Sequence, residues 1–156
     1  MAVKASISWQ GNMKFEAASG SGHRLVMDAG THAGGHNEGP RPTELVLMGL
    51  GGCSGIDVVW ILQRMRVAVD RFELELEAER APTEPRVFTR VTMVYKFWGD
   101  HLPAERIARA IKLSEHRYCS VAHMINKTAV IETYMELNGV RTRVPEISLE
   151  PTGDES

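Results

Sequence analysis

One segment constrains the fold more than any other, because the run from Pro42 to Met65 carries apolar residues on nearly every side of a helix. A helix that is apolar all round is a buried helix. Each of its glycines costs up to ~1 kcal/mol relative to Ala, so we expect another backbone to approach closely where the Cβ is missing. A break near Gly51-Gly52 is the alternative. The glycines are Gly49, Gly51, Gly52 and Gly55.

The segments around this helix predict an α+β fold in the order βββ-α-ββ-αα-β. Strands that cluster in hairpins, rather than alternating with helices, place the chain in this class. A Gly- and Pro-rich stretch, 29–42, is predicted to be a loop. The predicted strands are 3–9, 13–18, 23–27, 71–79, 88–98 and 129–137, and the further helices are 103–114 and 119–126.

The buried central helix also predicts association of two chains. A helix that is apolar all round needs cover on every side, and one sheet of six strands covers only one side. We therefore expect a homodimer in which the second subunit supplies the remaining cover. The length of 156 residues indicates a single domain, predicted over 1–145, followed by a polar, frayed tail over 146–156.

Composition excludes several classes of partner. Eighteen Lys and Arg against 20 Asp and Glu give a net charge of −2, which offers no basic field for a polyanion, so we expect no nucleic-acid partner. The chain lacks the apolar leader of a signal peptide and any run of ~18 uncharged apolar residues. We expect a cytoplasmic protein without a membrane partner. The acidic row at 73–79 is typical of a solvated strand face.

The two cysteines are the main chemical feature. Cys53 and Cys119 lie too far apart in sequence for a zinc ribbon, and two are too few for a secreted disulfide framework. A helix break before Cys53 would place its thiol at a helix N-terminus, which favours the thiolate. Cys119 follows Arg117-Tyr118 at the start of a predicted helix. The free N–H groups there and the nearby arginine would likewise favour the thiolate of Cys119. The alternative is that both cysteines only fill space in the core.

Histidines give two weak metal-binding patterns. His116, Cys119 and His123 would share one face if their helix were continuous, but the set lacks an adjacent carboxylate or second cysteine. His32 and His36 lie in the glycine-rich loop, which does not fix them on one face. We therefore predict no metal and no cofactor.

Two blocks around the cysteines resemble the OsmC/Ohr superfamily of osmotically inducible and organic hydroperoxide resistance proteins, and within it the YhfA-like branch. The first block is Gly39-Pro40-Arg41-Pro42-Thr43-Glu44-Leu45 followed by Met48-Gly49-Leu50-Gly51-Gly52-Cys53-Ser54. The second is Leu113-Ser114-Glu115-His116-Arg117-Tyr118-Cys119-Ser120-Val121. The order and separation of the blocks match the family too, and the resemblance covers most of the chain.

The resemblance implies an intertwined homodimer with a pair of thiols at each subunit interface. It further implies that Cys53 attacks an organic hydroperoxide and becomes a sulfenic acid, which Cys119 resolves as a disulfide. A dithiol such as dihydrolipoamide would reduce that disulfide. The rival hypothesis is a dimer without peroxidase activity that binds a small apolar or electrophilic ligand beside Cys53.

The chain departs from the peroxidase branches at the groups that hold the reactive thiolate. Those branches pair an Arg of the first hairpin with a Glu at the start of the central helix. Here the hairpin residues 11–14 include no Arg. Thr43 occupies the position of the family's carboxylate, and Glu44 follows one residue later. Because one residue is a helical rotation of about 100°, Glu44 need not reach the thiol site. The candidates for replacing the cation are Lys14, Arg24 and Arg41, with Arg41, Thr43 and Glu44 taken as possible stabilising or pocket residues.

Overall fold

The structure is a computed structural model and describes residues 1–144, so the predicted tail at 146–156 lies outside the described residues. The chain separates into two compact units, Met1–Met48 and the chain from Gly49 onward. The α+β class and the predicted element order are confirmed, with a 3₁₀ turn, a π turn and a seventh strand in addition.

The N-terminal unit contains the expected antiparallel meander. Its strands are β1 (Ala5–Trp9), β2 (Phe15–Ser19) and β3 (Arg24–Met27), hydrogen-bonded in the order β1-β2-β3. Antiparallel neighbours need only short connections, and Gly11 and Gly22 adopt the positive φ angles that these tight turns require. The sequence prediction for this region is confirmed.

A single carboxylate organises the loop that follows β3. Asp28 is buried, and its two oxygens accept hydrogen bonds from the backbone N–H groups of Ala29, His36 and Glu38 at 2.8 to 3.1 Å. These bonds, above all the one from Glu38, lower the pKa of the Asp28 carboxyl. The predicted loop is therefore irregular but specifically held, and it includes a short 3₁₀ turn, Thr31–Ala33.

The central helix α1 runs without interruption from Pro42 to Arg64. The alternative of a break at Gly51-Gly52 is therefore wrong. The expected close approach of another backbone is wrong as well: a Cβ on Gly51 would lie 2.9 Å from a methyl group of Leu76, and one on Gly55 would lie 3.4 Å from a methyl group of Leu74. Gly51 and Gly55 therefore make room for side chains of the next strand.

Only part of α1 is buried within one chain. Leu50, Val58 and Leu62 are buried, whereas Ile56 is 73% and Trp60 is 51% exposed. The helix is also long and apolar enough to cross a membrane by length and composition, with a mean hydropathy of 1.9. Core helices of soluble proteins can be equally long and apolar, so length and composition do not distinguish a membrane-spanning helix from a buried core helix.

The second unit contains a four-stranded sheet in the order β4-β5-β6-β7. The strands are β4 (Arg71–Arg80), β5 (Phe88–Trp98), β6 (Val130–Leu137) and β7 (Val140–Arg143). The expected hairpin of β4 and β5 is confirmed, and β5 pairs with β6 in parallel. The assumption of one six-stranded sheet was wrong, because the described strands form two sheets and β7 was not predicted.

Three helical segments connect β5 to β6. These are α2 (Ala104–Leu113), a π-helical turn (Ser114–Tyr118) and α3 (Ser120–Ile125). A parallel strand pair requires such a crossover. The predicted helices are confirmed with shorter bounds, and the π turn was not predicted. The core of this unit includes Tyr95, Phe97, Ile107 and Ile111, all fully buried.

Candidate thiol site

The two cysteines meet in the second unit. Cys53 lies in the middle of α1 and is half-buried, whereas Cys119 immediately precedes α3 and is fully buried. Their Sγ atoms lie within 4.8 Å of each other, and both are free thiols. Residues 66 positions apart in sequence are thus brought within reach of one another by the contact of α1 with the start of α3.

Cys119 is held by two hydrogen bonds to its sulfur. The Ser54 hydroxyl donates to Sγ at 3.3 Å, and the backbone N–H of Ala122 donates at 3.3 Å. Burial raises the pKa of the Cys119 thiol, these two bonds oppose that shift, and the neighbouring Cys53 raises the pKa further. The expected location of Cys119 at a helix start is confirmed, and the free N–H group reaches its sulfur.

The π turn positions Cys119. The backbone N–H of Cys119 donates to the carbonyl of Ser114 at 2.7 Å, which closes the wide turn. Single π turns within helices are common at functional sites. The extra residue in this turn separates α2 from α3 and lets the chain change direction at the cysteine.

Cys53 lies in the interior of a helix and not at the helix N-terminus that was expected. Because α1 is continuous, Cys53 is eleven residues from the helix start at Pro42 and cannot use the N-terminal N–H groups or the end of the helix dipole. The prediction that a helix break activates this thiol is wrong. Cys53 is nevertheless the more accessible of the two sulfurs.

Asp57 is a third member of the cluster that sequence reasoning missed. It lies four residues after Cys53, hence on the same face of α1, and a carboxylate oxygen lies within 4.8 Å of both sulfurs. The Ser114 hydroxyl donates to its Oδ2 at 3.1 Å. The available signal was a single acid at i+4 from a cysteine in an otherwise apolar run.

Tyr95 supplies a buried polar group beside this cluster. The residue is fully buried on β5, and its hydroxyl has no hydrogen-bond partner among the described residues. Burial, followed by the Glu115 carboxylate, raises the pKa of Tyr95, and Cys119 and Asp57 add to the shift, while Ser54 opposes it. The phenol therefore remains protonated and can act as a hydrogen-bond donor.

The predicted stabilising residues are engaged within the N-terminal unit. Arg41 donates through Nη1 to Asn37 Oδ1 at 2.8 Å and to the Gly39 carbonyl at 3.2 Å. Glu44 Oε1 accepts the backbone N–H of Arg41 at 2.9 Å. Thr43, in the first turn of α1, is half-buried. The roles of Arg41, Thr43 and Glu44 at the thiols stay predictions.

The other two cations considered also have acidic partners. Lys14 pairs with Glu38 at 2.8 Å, and Arg24 pairs with Glu16. Both pairs lie in the N-terminal unit. The hydrogen bond from Lys14 to Glu38 raises the pKa of that lysine, so its charge is permanent at neutral pH.

The histidine patterns do not form a shared site in the described structure. The π turn ends at Tyr118 and α3 begins at Ser120, so His116 and His123 do not share a continuous helix. Instead, the His123 ring hydrogen-bonds the His116 carbonyl at 3.1 Å. In the loop, His36 contacts Asn12 at 3.3 Å.

Comparison with known proteins agrees with this fold. The sequence profile of the OsmC-like proteins matches residues 35–134, and the chain belongs to that family. It is 40% identical over 129 residues to Protein YhfA of Escherichia coli K12, covering 83% of this chain and 93% of that protein. The predicted family and branch are thereby confirmed.

Solved structures extend the comparison. A hypothetical protein from Aquifex aeolicus superposes with a TM-score of 0.78 at 24% identity, covering 88% of this chain and 97% of that one. An organic hydroperoxide resistance protein OsmC from Legionella pneumophila superposes with a TM-score of 0.67 at 12% identity, covering 87% and 97%. At these identities the likeness establishes the shared fold.

Proposed function

We propose that this protein reduces organic hydroperoxides with Cys53 as the attacking thiol and Cys119 as the resolving thiol. The observation that carries the proposal is the approach of the two sulfurs to within 4.8 Å, one accessible and the other buried. An attacking thiol must meet substrate, whereas a resolving thiol needs only to meet the first sulfur. The assignment follows from this difference in exposure.

The proposed reaction has three steps: oxidation of Cys53, formation of a disulfide and reduction of that disulfide. The Cys53 thiolate displaces the alkoxide from the O–O bond, giving a sulfenic acid and, after proton transfer, an alcohol. The Cys119 thiol then displaces water from that sulfenic acid, which leaves a disulfide. A dithiol such as dihydrolipoamide exchanges with the disulfide, becomes oxidised itself and restores both thiols.

The geometry supports the second step. A disulfide requires the two sulfurs to approach to about 2.0 Å, so they must move together by at most about 2.8 Å from the 4.8 Å limit. Rotation of the Cys53 side chain in the half-buried site supplies such a movement. The hydrogen bonds to Cys119 from Ser54 and Ala122 favour the thiolate that attacks the sulfenic acid.

A specific surface feature favours the alternative of ligand binding. An apolar groove of about 550 Å³ begins at Gly52, next to Cys53, and contains the exposed faces of Ile56 and Trp60. A small apolar or electrophilic ligand in this groove would lie beside the thiol. The remaining lining residues are Gly55, Val59, Gln63, Phe72 and Leu74.

The same exposed apolar face also supports the proposed homodimer. Contiguous exposed apolar surface of this kind is typical of association sites, and a second copy of the chain would cover it. The groove would then become the wall of an interface pocket beside Cys53. We propose a homodimer on this basis.

The test is peroxide turnover by two cysteine variants, with reduced dihydrolipoamide as the electron donor and cumene hydroperoxide as the substrate. Replacing Cys53 with Ser abolishes turnover while the melting temperature and the mass by light scattering are unchanged. Replacing Cys119 with Ser leaves one reaction with peroxide, after which Cys53 over-oxidises to sulfinic and sulfonic acids.

Two outcomes contradict the proposal. Retained turnover in the Cys53→Ser protein would remove Cys53 from the attacking role. An absence of sulfinic acid in the Cys119→Ser protein after excess peroxide would remove Cys119 from the resolving role. Protection of Cys53 from alkylation by an apolar ligand, without peroxide turnover in the native protein, would support the ligand-binding alternative instead.

A further inference from the structure

The thiol pair is part of a three-residue donor cluster that the peroxidase proposal does not use in full. One carboxylate oxygen of Asp57 and the Sγ atoms of Cys53 and Cys119 all lie within 4.8 Å of one another. The first two donors are one turn apart on α1, and the third precedes α3. Two separate helices therefore direct three donor atoms toward one point.

The donor set fits a soft divalent cation. Two thiolate sulfurs with a carboxylate oxygen are ligands that Zn²⁺ accepts in tetrahedral sites, whereas Mg²⁺ and Ca²⁺ prefer oxygen throughout. Zn–S and Zn–O bond lengths of about 2.3 and 2.1 Å place tetrahedral ligands roughly 3.5 to 3.8 Å apart. The observed limit of 4.8 Å requires each pair to close by no more than about 1.3 Å to reach that spacing.

The neighbouring polar groups orient these donors. Ser114 Oγ donates to Asp57 Oδ2 at 3.1 Å, and Ser54 Oγ donates to Cys119 Sγ at 3.3 Å. Ligating side chains in metal sites are characteristically held by such outer hydrogen bonds, which fix their direction. Both serines are fully buried, so water does not compete for these contacts.

Tyr95 provides an independent observation at the same place. Its hydroxyl is fully buried and unpartnered among the described residues, although most buried polar groups are hydrogen-bonded. Besides burial, the charges of Cys119 and Asp57 contribute to its raised pKa, so the phenol shares the electrostatic environment of the cluster. Three protein ligands leave a fourth tetrahedral position, which a water molecule can fill.

We propose that the reduced protein binds one Zn²⁺ ion through Cys53, Asp57 and Cys119, with a water molecule as the fourth ligand. Binding converts both thiols to thiolates and releases their protons to solvent. A disulfide between the same sulfurs removes two of the three protein ligands, so metal binding and disulfide formation exclude each other. The proposal replaces the sequence-based prediction of no metal, which rested on the histidine patterns. It goes beyond the peroxidase reaction and does not depend on it.

The test is titration of the reduced, metal-free protein with Co²⁺ under anaerobic conditions, followed by competition for Zn²⁺ with a chromophoric chelator. The expected result is one ion per chain, with sulfur-to-cobalt charge-transfer absorption and the intense visible bands of a tetrahedral site. Replacing Cys53 or Cys119 with Ser lowers the Zn²⁺ affinity at least about 100-fold, and Asp57→Asn lowers it about 10- to 100-fold.

Matched controls separate this cluster from other metal-binding groups. Asp100→Asn removes an exposed carboxylate of the same unit and leaves the affinity unchanged. His123→Gln leaves it unchanged as well, which distinguishes the cluster from a site shared by His116, Cys119 and His123. Asp57→Asn is nearly isosteric, so it tests the cluster even where a cysteine variant fails to fold.

The result that overturns the proposal is equally definite. Failure of the reduced native protein to bind Co²⁺ or Zn²⁺ excludes the site, whatever its reaction with peroxide. Binding that persists in Asp57→Asn at the native affinity, or that is lost in His123→Gln, assigns the metal to other residues. Peroxide turnover by metal-free protein is measured separately, so failure of one proposal does not imply failure of the other.

Discussion

The two units of the chain are stabilised by different means. No apolar side chain of the described N-terminal unit is fully buried, and Ile7 and Trp9 are 55% and 66% exposed. The second unit buries Tyr95, Phe97 and Met93 completely. The stability of the first unit depends on strand pairing and on the backbone N–H groups that donate hydrogen bonds to Asp28. The stability of the second unit depends on an apolar core.

This difference indicates where chemistry can be held with precision. The sulfur atoms lie in the unit with the buried core, where Cys119 is fixed by Ser54 and Ala122. Reactive groups supported by packed elements keep their geometry better than groups on exposed loops. The exposed apolar residues of the first unit, in contrast, form a kind of surface that is typical of association sites.

The largest expected effect comes from overfilling the contact between α1 and β4. A Cβ on Gly51 would already lie 2.9 Å from Leu76, so Gly51→Leu overpacks the core and lowers the free energy of unfolding by about 1–3 kcal/mol. Gly52→Leu is the matched control, because beyond its own helical turn no atom of the described residues lies within 4 Å of its Cβ position. Its gain in helix propensity is the same. Urea denaturation measures the difference.

Equal losses of stability in the two glycine variants would contradict the account. Such a result would mean that the helix tolerates neither residue for a reason other than the contact with Leu76. The light-scattering mass of the Gly52→Leu variant separates a failure of association from a failure of folding.

A smaller effect of opposite sign is expected at Tyr95. Among residues 1–144 its buried hydroxyl has no hydrogen-bond partner. An unsatisfied buried group destabilises the folded state, so Tyr95→Phe raises the free energy of unfolding of the metal-free protein by about 1 kcal/mol. The ring keeps its stacked contact with Phe72, whose centroid is 6.2 Å away. Tyr118→Phe, at an exposed position, is the control and changes little. A loss of stability in Tyr95→Phe would show that the hydroxyl has a partner.

The smallest global effect is expected from Asp28→Asn in the N-terminal unit. The pKa of Asp28 is lowered by the N–H groups of Glu38 and its neighbours, so its contribution to stability is present above the unfolded-state value and is lost as the pH falls through the folded-state value. The variant is therefore less stable than the native protein at pH 7. The difference shrinks as the pH falls below about 4.

Hydrogen exchange sharpens this prediction. Asp28→Asn increases exchange at residues 29–38, whose amide groups it helps to hold, and leaves the core strand β5 unchanged. Faster exchange in both regions would contradict the division into units with separate sources of stability.

Local sequence patterns were sufficient to predict most elements but not every contact. The alternation in 3–27 and 71–98 specified strands, and the apolar run from Pro42 specified α1 within one residue of its end. The short strand β7 was missed because Val140–Arg143 is exposed along its length and carries no alternation that burial would impose. The π turn was missed because a single extra residue barely changes helical periodicity.

Only part of the candidate site could be predicted from the sequence. Both cysteines were found, but Asp57 appeared as an isolated charge in an apolar helix until Ser114, 57 residues later, was brought against it. Tyr95 likewise had the pattern of an ordinary core residue on a strand. Long-range contacts of this kind depend on how the helices return to the sheet, which no local pattern specifies.

The most direct test of the central claim is intact-mass analysis with free-thiol counting after brief exposure of the metal-free native protein to one equivalent of cumene hydroperoxide. We predict loss of both thiols and of two hydrogen atoms per chain, as a disulfide between Cys53 and Cys119 forms, with full reversal by dihydrolipoamide. Two untouched thiols after this exposure would contradict this prediction and would direct attention to ligands of the groove beside Cys53.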